Sequence, residues 1–309
     1  MQQSRTGVLL LISLLLSAGC RPPSASTPQT GIRIVSLAPN LTESLCAIGA
    51  GHLLVGRTSA CNYPPEIVER VPVIGGFGHP SLELLALAQP TLVLDIDLAD
   101  ESVAAQISAM GIERRRITCH SLADIAPMLR ELGEITGHTA QANALATKIA
   151  NAIADAQSSA LRSPPALRSS QNEGGTSSLR PPPSVYAEVW HDPMTTVGSN
   201  TFLADLIRLT GGRTIADSVK KAYFQISPEQ VIAENPDVIL CLYMGRSDGA
   251  ADAVKRRPGW GHITAVKTDC VFEGLNNDIL LRPGPRLLAG LEAMRACVEK
   301  ARREAPHDL

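Results

Sequence analysis

One fifteen-residue pattern occurs twice in this chain, and it limits the possible folds more than any other feature. The first copy is SLELLALAQPTLVLD at residues 81–95, and the second is SPEQVIAENPDVILC at residues 227–241. In a single register the copies align Ser with Ser, Glu with Glu and Pro with Pro. Two copies of one unit, so far apart in the chain, predict two lobes of similar build.

Each copy is typical of a helix followed by a buried strand. Ser81 and Ser227 are good helix N-caps, and Glu83 and Glu229 stand in the first turn, where the helix dipole favours negative charge. A proline just past the last turn ends each helix. The apolar run that follows is short and β-branched, as in a strand covered on both faces. We therefore predict an α/β fold in which each lobe presents an acidic residue at the start of the same helix.

The composition is that of a globular body and excludes several classes of partner. Hydrophobic residues make up 44% of the chain, and the formal net charge is -2. Such a balance does not favour binding to nucleic acid or to an anionic membrane surface. The seven cysteines contain no CxxC pair and no Cys/His cluster. We expect no metal site, and we interpret Cys46 and Cys241 as small core residues.

The first residues of the chain are interpreted as a targeting signal, residues 1–19. Arg5 supplies the positive end, a short apolar run follows, and small residues precede Cys20. This arrangement resembles a bacterial lipoprotein box and predicts lipidation of Cys20. An ordinary cleaved signal with an incidental Cys20 is the alternative, and the apolar run is too short for a membrane span. Residues 20–31, rich in Pro, Ser and Thr, are expected to form a flexible lipidated tether.

The amino-terminal lobe is assigned to residues 32–138. Its first helix can be capped by Thr42 or Asn40. The glycine-rich loop at residues 75–80 lacks the lysine and the spacing of a phosphate cradle, so nucleotide binding is not expected. Asp95 and Asp97 are interpreted as polar residues at a strand end that face solvent.

One long helix, residues 139–162, is predicted to join the lobes. Its middle has no Pro or Gly, and its apolar residues fall four apart. Roughly 20 residues at 1.5 Å each give a helix of about 30 Å. Pro127 places the start of the preceding helix near Asp124, because proline fits only the first turn. Residues 163–184 are expected to be a disordered insertion, and residues 185–303 form the carboxyl-terminal lobe.

Aromatic residues are scarce, with four Phe, four Tyr and two Trp in the chain. Several of them fall in or next to loops that follow predicted strands, where open α/β sheets form their ligand crevice. Some of these rings could simply cover the core. Together, from both lobes, they favour a cleft that holds a large, partly apolar ligand. These rings belong to Tyr63, Phe77, Trp190, Tyr223 and Phe224. Arg57 and Arg282 are the candidates to clamp an anion there.

Five motifs carry a resemblance to a known family. They are RIVSLAPNLTE, CNYPPE, GGFGHPSLE, TVGSNTFLADLI and ISPEQVIAENPDVIL, in this order along the chain. They closely resemble periplasmic binding proteins for iron complexes and cobalamin, and the likeness is strongest to the cobalamin-binding members. The resemblance implies two Rossmann-like lobes joined by a single rigid helix, a small hinge motion on binding, and no catalysis.

The resemblance also implies roles for single residues. Phe77 matches a ring that lines the corrinoid cleft, Tyr223 offers a second ring, and the stretch from Asp278 to Arg282 matches a segment that contacts ligand. The whole expected ligand set is Asn62, Tyr63, Phe77, Trp190, Tyr223, Asp278 and Arg282. Glu83 and Glu229 match the acidic residues with which the family docks on arginines of the permease.

Two positions depart from the cobalamin-binding members. Ala60 stands where they have a cleft tyrosine, and Tyr63 follows three residues later. Thr210 replaces a member of their cysteine pair.

Three functions follow as hypotheses. The first is a monomeric, lipid-anchored receptor, in the periplasm or on the outer face of the membrane, that captures cobalamin or another corrinoid and delivers it to an ABC importer permease dimer. It needs no cofactor and binds no nucleic acid. The second is a receptor of the same fold for a ferric siderophore or haem, with His79, His191 and Tyr63 at the iron. The third is an exported enzyme, which lacks support because the chain has no G-x-S-x-G elbow or HExxH motif.

Overall fold

The fold is described from a computed structural model, which covers residues 31–96, 101–162, 181–243 and 248–304. The predicted signal, Cys20, nearly all of the tether, Asp97 and most of the predicted insertion lie outside the described residues. Within these ranges, no helix has both the length and the apolar character needed to cross a membrane.

The first sheet has six strands and a parallel core. Its order is β4-β3-β2-β1-β5-β6, and only β4 runs antiparallel to its neighbour. The strands are β1 (Ile34–Ser36), β2 (Leu54–Thr58), β3 (Val73–Gly76), β4 (His79–Pro80), β5 (Leu92–Asp95) and β6 (Glu113–Arg116). The helices around it are α1 (Pro39–Ala47), α2 (Pro65–Val68), α3 (Leu82–Ala88), α4 (Glu101–Ala109) and α5 (Leu122–Thr136).

A single helix, α6 (Thr139–Arg162), leads from the first sheet toward the second. Its 24 residues correspond to about 36 Å of helix. It packs against α5 on one side and against two helices of the second lobe on the other. The long helix predicted from the sequence is therefore present.

The second sheet also has six strands and a parallel centre. Its order is β10-β8-β7-β11-β12, with β9 paired to β7. The strands are β7 (Ser184–His191), β8 (Met194–Val197), β9 (Arg213–Thr214), β10 (Tyr223–Gln225), β11 (Val238–Cys241) and β12 (Val271–Phe272). The helices are α7 (Phe202–Leu209), α8 (Pro228–Glu234), α9 (Ala250–Lys255), α10 (Thr264–Lys267), α11 (Asn277–Leu281) and α12 (Leu287–Glu304).

The repeated unit forms the same local structure in both lobes. The Ser81 hydroxyl accepts a hydrogen bond from the Leu84 amide at 3.3 Å, and Ser227 accepts one from the Gln230 amide at 3.2 Å. Both helices, α3 and α8, end at a residue in the left-handed conformation and lead into the fully buried strands β5 and β11. Capping and burial agree with the pattern because both depend on residues close in sequence.

Two helix starts differ from prediction. Neither Thr42 nor Asn40 caps α1, because Pro39 begins it and the Thr42 hydroxyl donates to Ser36 instead. Helix α5 begins at Leu122 rather than near Asp124, since Ser121 and Asp124 form a capping box ahead of it and the helix accommodates Pro127 inside.

Asp95 was predicted to face solvent, and this is wrong. Its side chain is only 1% exposed, and Arg114 donates to both of its oxygens at 2.7 and 3.0 Å. Strand β6 lies beside β5 and brings Arg116 within 3.6 Å as well. A buried carboxylate is tolerated here because two guanidinium groups neutralise it.

Two further positions are defined by the structure. Tyr223 and Phe224 were expected in or next to a loop, and they form the edge strand β10, antiparallel to β8. Ser184, which was assigned to the insertion, is the first residue of β7 and pairs with Arg213.

Candidate ligand-binding cleft

The segments that leave the carboxyl ends of the parallel strands in the two sheets meet each other. From the first sheet come the start of α1, after β1, and Asn62, after β2. From the second comes Asp278 on α11, after β12. The Asn62 amide donates to Asp278 at 2.7 Å, and the Asn40 amide donates to the Pro283 carbonyl at 3.1 Å. The crevice outside the carboxyl ends of parallel strands is where open α/β sheets bind ligands.

A cluster of charges ties the two lobes together at this edge. Glu43 on α1 accepts from Arg286 at 2.7 and 2.8 Å and from Arg282 at 3.2 Å. Arg282 also contacts Asp278 at 2.6 Å and donates to Asn62 at 2.8 Å. We call Glu43, Asn62, Asp278, Arg282 and Arg286 the interlobe seam. Its two carboxylates balance its two guanidinium groups.

Around Glu43 the seam is largely removed from water, whereas Asn62 is exposed and the Asp278 side chain is 32% exposed. Glu43 is 4% exposed, while Arg282 and Arg286 keep about a sixth of their side-chain surface accessible, 17% each. A buried carboxylate without partners would lose several kcal/mol of solvation, roughly, and the two guanidinium groups offset this loss for Glu43. The seam is thus a closed set of ion pairs and hydrogen bonds that spans both lobes.

The two arginines named as anion clamps already have protein partners. The Arg57 guanidinium donates to the carbonyls of Val68, Thr58 and Cys61. Arg282 additionally donates to the Ala60 carbonyl at 3.3 Å. Arg57 therefore holds the loop after β2, and Arg282 bridges the lobes. A contact of Arg282 with ligand stays a prediction.

Four of the five aromatic residues predicted to line the cleft are exposed to solvent, whereas Phe224 is half-buried against the hydrophobic core. Phe77 and Tyr223 are each 54% exposed, and they lie the same number of residues before Glu83 and Glu229, respectively. Trp190 is also exposed, and its indole N–H donates to the Asp192 carbonyl at 2.9 Å. Exposed large rings on a protein with few aromatics indicate a surface that binds something apolar.

The Tyr223 side chain is exposed to water, although protein atoms surround its hydroxyl. Water reaches half of the ring, yet desolvation by the surrounding protein raises the pKa of its hydroxyl. A side chain on the wall of a concave site has both properties, because protein surrounds it while its face stays open. The exposed face of the ring is the surface that a ligand could contact.

Tyr63 is placed differently from the other rings. The Arg286 guanidinium lies over its ring, with Cζ at 4.2 Å from the centroid, which is cation–π geometry. One face of Tyr63 is therefore occupied by the seam, and its exposed part borders the seam.

A second buried cluster of polar side chains surrounds Glu188 in the second lobe. Glu188, fully buried on β7, accepts from Arg257 at 2.6 and 2.7 Å and from the Tyr186 hydroxyl at 2.8 Å. The Tyr243 hydroxyl also donates to it. Burial, and then the neighbouring carboxylate, raise the pKa of both tyrosines, which remain neutral donors. The Tyr243 carbonyl accepts from Asn277 at 2.6 Å, so this cluster fixes the start of α11, which carries Asp278.

Sequence reasoning missed Glu43, Arg286 and Glu188. Glu43 was only the last letter of a motif, and nothing local to it in the chain shows that its partners are Arg282 and Arg286. The one available signal was a charged residue in a helix whose other positions are all uncharged.

A separate cavity of about 450 Å³ opens on the first lobe. Cys46, His52, Glu66, Ile67 and Arg70 contribute to its wall, and none of the predicted ligand residues does. This cavity is therefore separate from the interlobe seam.

Comparison with known proteins identifies the class of molecule. Residues 34–276 match a family described as periplasmic binding protein. The chain belongs to this family. The ABC transporter substrate-binding lipoprotein YvrC of Bacillus subtilis is 29% identical over 268 residues, which is 85% of this chain and 78% of that protein. The vitamin B12-binding protein of Pectobacterium atrosepticum is 26% identical, over 87% of this chain and 88% of that one.

A solved structure shows the same architecture. The periplasmic haem-binding protein RhuT from Roseiflexus, in its apo form, matches with a TM-score of 0.73 and 29% identity, over 88% of this chain and 99% of that one. The predicted family and the two-lobed α/β fold are confirmed. As a periplasmic binding protein, the chain binds a solute for ABC transport and is not an enzyme.

In this periplasmic binding protein, the two predicted docking glutamates are exposed and stand in matching first turns. Hydrogen bonds from its own amide and from Ser227 lower the pKa of Glu229, so it is ionised at neutral pH. Leu84 and Leu87 on α3 are exposed next to Glu83, and Leu87 is 78% exposed. The helix starts therefore present charge, with apolar surface beside it in the first lobe.

The thiols and histidines of this periplasmic binding protein form no metal cluster within the described residues. Six cysteines are free there. Burial is the main cause that raises the pKa of Cys46, Cys119 and Cys241 to about 12, which keeps them protonated at neutral pH. Cys241 is a buried strand residue, as predicted, whereas Cys46 is only partly buried.

Proposed function

We propose that this protein captures a corrinoid, cobalamin in the first place, between its lobes and delivers it to the permease dimer of an ABC importer. In this proposal a lipid on Cys20 tethers the receptor to the membrane on the outer side, and residues 20–31 give it reach. Cys20 itself lies outside the described residues.

The observation that carries the choice of ligand is the charge balance of the interlobe seam. A corrinoid is rimmed by neutral amides, which need hydrogen-bond donors and acceptors. Haem carries two carboxylates, which need cations. Arg282 and Arg286 are held by Glu43 and Asp278, so the seam has no net positive charge for two carboxylates. Asn62 and Asp278 offer amide and carboxylate groups that suit an amide rim.

The exposed rings supply the apolar part of the site. Phe77 comes from the first lobe and Tyr223 from the second, and both have half of their surface free. Burying such rings against a flat macrocycle contributes roughly 1.5–3 kcal/mol each. Trp190 adds a third face. A large ligand held between two lobes by rings and a few polar groups is the usual composition of such a site.

The second candidate is a haem or ferric siderophore receptor of the same family. The likeness to the Roseiflexus haem-binding protein favours it. Tyr63, His79 and His191 are the residues that could reach an iron centre. His191 packs near Trp190 and Tyr243, with ring centroids at 5.6 and 5.3 Å, so its ring already has aromatic neighbours.

Delivery rests on Glu83 and Glu229. One acidic residue in a first helical turn is worth only about 0.3–1 kcal/mol as a dipole effect. Two at matched positions, one in each lobe, would meet a twofold permease dimer symmetrically. Charge pairs at such a contact set orientation and association rate more than stability.

The experiment is to purify the protein, record its absorption spectrum and identify any extracted ligand by mass spectrometry. A corrinoid spectrum with the matching mass supports the proposal. A haem Soret band, or a ferric siderophore mass, would replace cobalamin by the second candidate.

A further inference from the structure

Within the interlobe seam, Glu43 is the residue whose charged group reaches across from the first lobe to both arginines of the second lobe. It lies on α1 in the first lobe, whereas Arg282 and Arg286 flank a Pro-Gly-Pro segment in the second. Asp278, the other carboxylate, contacts Arg282 only through a bond within its own lobe. Arg286 has no carboxylate partner other than Glu43 among the described residues.

The contacts define what each arginine would keep without the Glu43 charge. Arg282 would keep Asp278, Asn62 and the Ala60 carbonyl. Among the described residues, Arg286 would keep only the ring of Tyr63, whose centroid lies 4.2 Å from its Cζ. Tyr63 is itself exposed and is one of the rings predicted to line the cleft. Removal of the Glu43 charge would therefore leave one uncompensated cation beside the ligand site.

We propose that Glu43 is a specificity-determining residue, which excludes ligands with a carboxylate rim by neutralising Arg286 and Arg282. This inference rests on the proposed function, because it takes a macrocycle with polar substituents as the ligand. Glu43 does not need to touch the ligand. It acts by setting the net charge of the seam to zero.

The physical basis is the discrimination of one ligand against another. A receptor rejects a competitor by denying it the partners that its charges need after they leave water. A ligand carboxylate that enters this site finds guanidinium groups already bonded to Glu43. It would lose its solvation without gaining a free cation, whereas an amide has much less solvation to lose.

The test uses two probes of the same shape and different charge. Cyanocobalamin is the neutral probe, and cyanocobalamin with one peripheral amide hydrolysed to a carboxylate is the anionic probe. The measured quantity is the ratio of their dissociation constants for each protein variant. A ratio removes any loss of affinity that both probes share.

Three variants give opposed expectations. Glu43→Gln should shift the ratio toward the anionic probe by about tenfold. Arg286→Gln leaves the seam with one excess negative charge and should shift the ratio toward the neutral probe. The double variant Glu43→Gln with Arg286→Gln restores the balance and should return the ratio close to that of the wild type.

Circular dichroism and thermal unfolding establish that each variant is folded. If Glu43→Gln does not fold, the ratio measured for Arg286→Gln still tests the inference. Equal weakening of both probes in every folded variant would assign Glu43 a purely structural role and overturn the inference.

Failure of the proposed function gives a different result. If the wild type binds neither corrinoid, the same variants are titrated with haemin, which carries carboxylates, and with its dimethyl ester, in which they are neutral. An unchanged ratio there overturns the inference about Glu43. A shifted ratio supports it, although cobalamin is then not the ligand.

Discussion

Glu43 and Arg286 are 243 residues apart in the chain, yet the guanidinium group of Arg286 donates to both carboxylate oxygens of Glu43, at 2.8 and 2.7 Å. Each residue belongs to a different lobe. A bidentate pair of this kind fixes both distance and orientation. It therefore restrains rotation of the lobes about α6.

Glu43→Ala is expected to lower the free energy of unfolding by about 2–4 kcal/mol, because it leaves two partly buried guanidinium groups with fewer partners. The lower half of this range applies if Arg286 turns toward water. Urea unfolding measures the change. Glu131→Ala, at an exposed position on α5, is the matched control and should cost less than about 0.5 kcal/mol. A loss in Glu43→Ala no larger than in the control would contradict the buried pairing.

Phe77→Ala is expected to weaken cobalamin binding by about 1–3 kcal/mol, since it removes the apolar face that the first lobe contributes to the proposed site. Tyr223→Ala should have a similar effect in the second lobe. Calorimetric titration measures both. Met110→Ala removes an exposed apolar side chain outside the proposed site and should leave affinity unchanged. Unchanged affinity in Phe77→Ala would remove this ring from the site.

The double variant Glu83→Ala with Glu229→Ala should keep its melting temperature and ligand affinity while losing most stimulation of the importer's ATPase. The reason is that both carboxylates are exposed and act on the docking partner rather than on the fold. Residual docking should also be less sensitive to salt.

Glu234→Ala is the control for the docking experiment, because it removes an exposed charge from the other end of α8. It should stimulate ATPase like the wild type. Transport at the wild-type rate by the double variant in reconstituted vesicles would exclude the docking role.

Cys20→Ser should abolish stable membrane association, because the variant has no thiol at the predicted lipidation site. The protein should either keep its signal at full length or appear in the soluble fraction. Fractionation with mass spectrometry of the amino terminus measures this. Membrane association at the wild-type level, with no retained signal, would mean that another segment holds the protein.

Features that depend on neighbouring residues were predictable from sequence. Ser81 and Ser227 cap their helices, and β5 and β11 follow them, because the caps and the apolar strand runs are patterns of a few neighbouring residues. The long helix α6 was predicted for the same reason. Its residues continue a helical pattern without interruption by Pro or Gly.

Features that depend on distant partners were not predictable. Asp95 was expected in solvent, but the register of β6 beside β5 places Arg114 on its carboxylate. Glu43 was not predicted as a site residue because its partners lie at the other end of the chain. Tyr223 was identified as a candidate ring, although its placement in an edge strand depends on pairing with β8.

The most direct measurement is a parallel calorimetric titration of the purified protein with cyanocobalamin and with haemin. We expect one-to-one binding of cyanocobalamin, at least about tenfold tighter than that of haemin, because the seam offers polar groups without a free cation. Saturable one-to-one binding of haemin, together with no heat from cyanocobalamin, would contradict it.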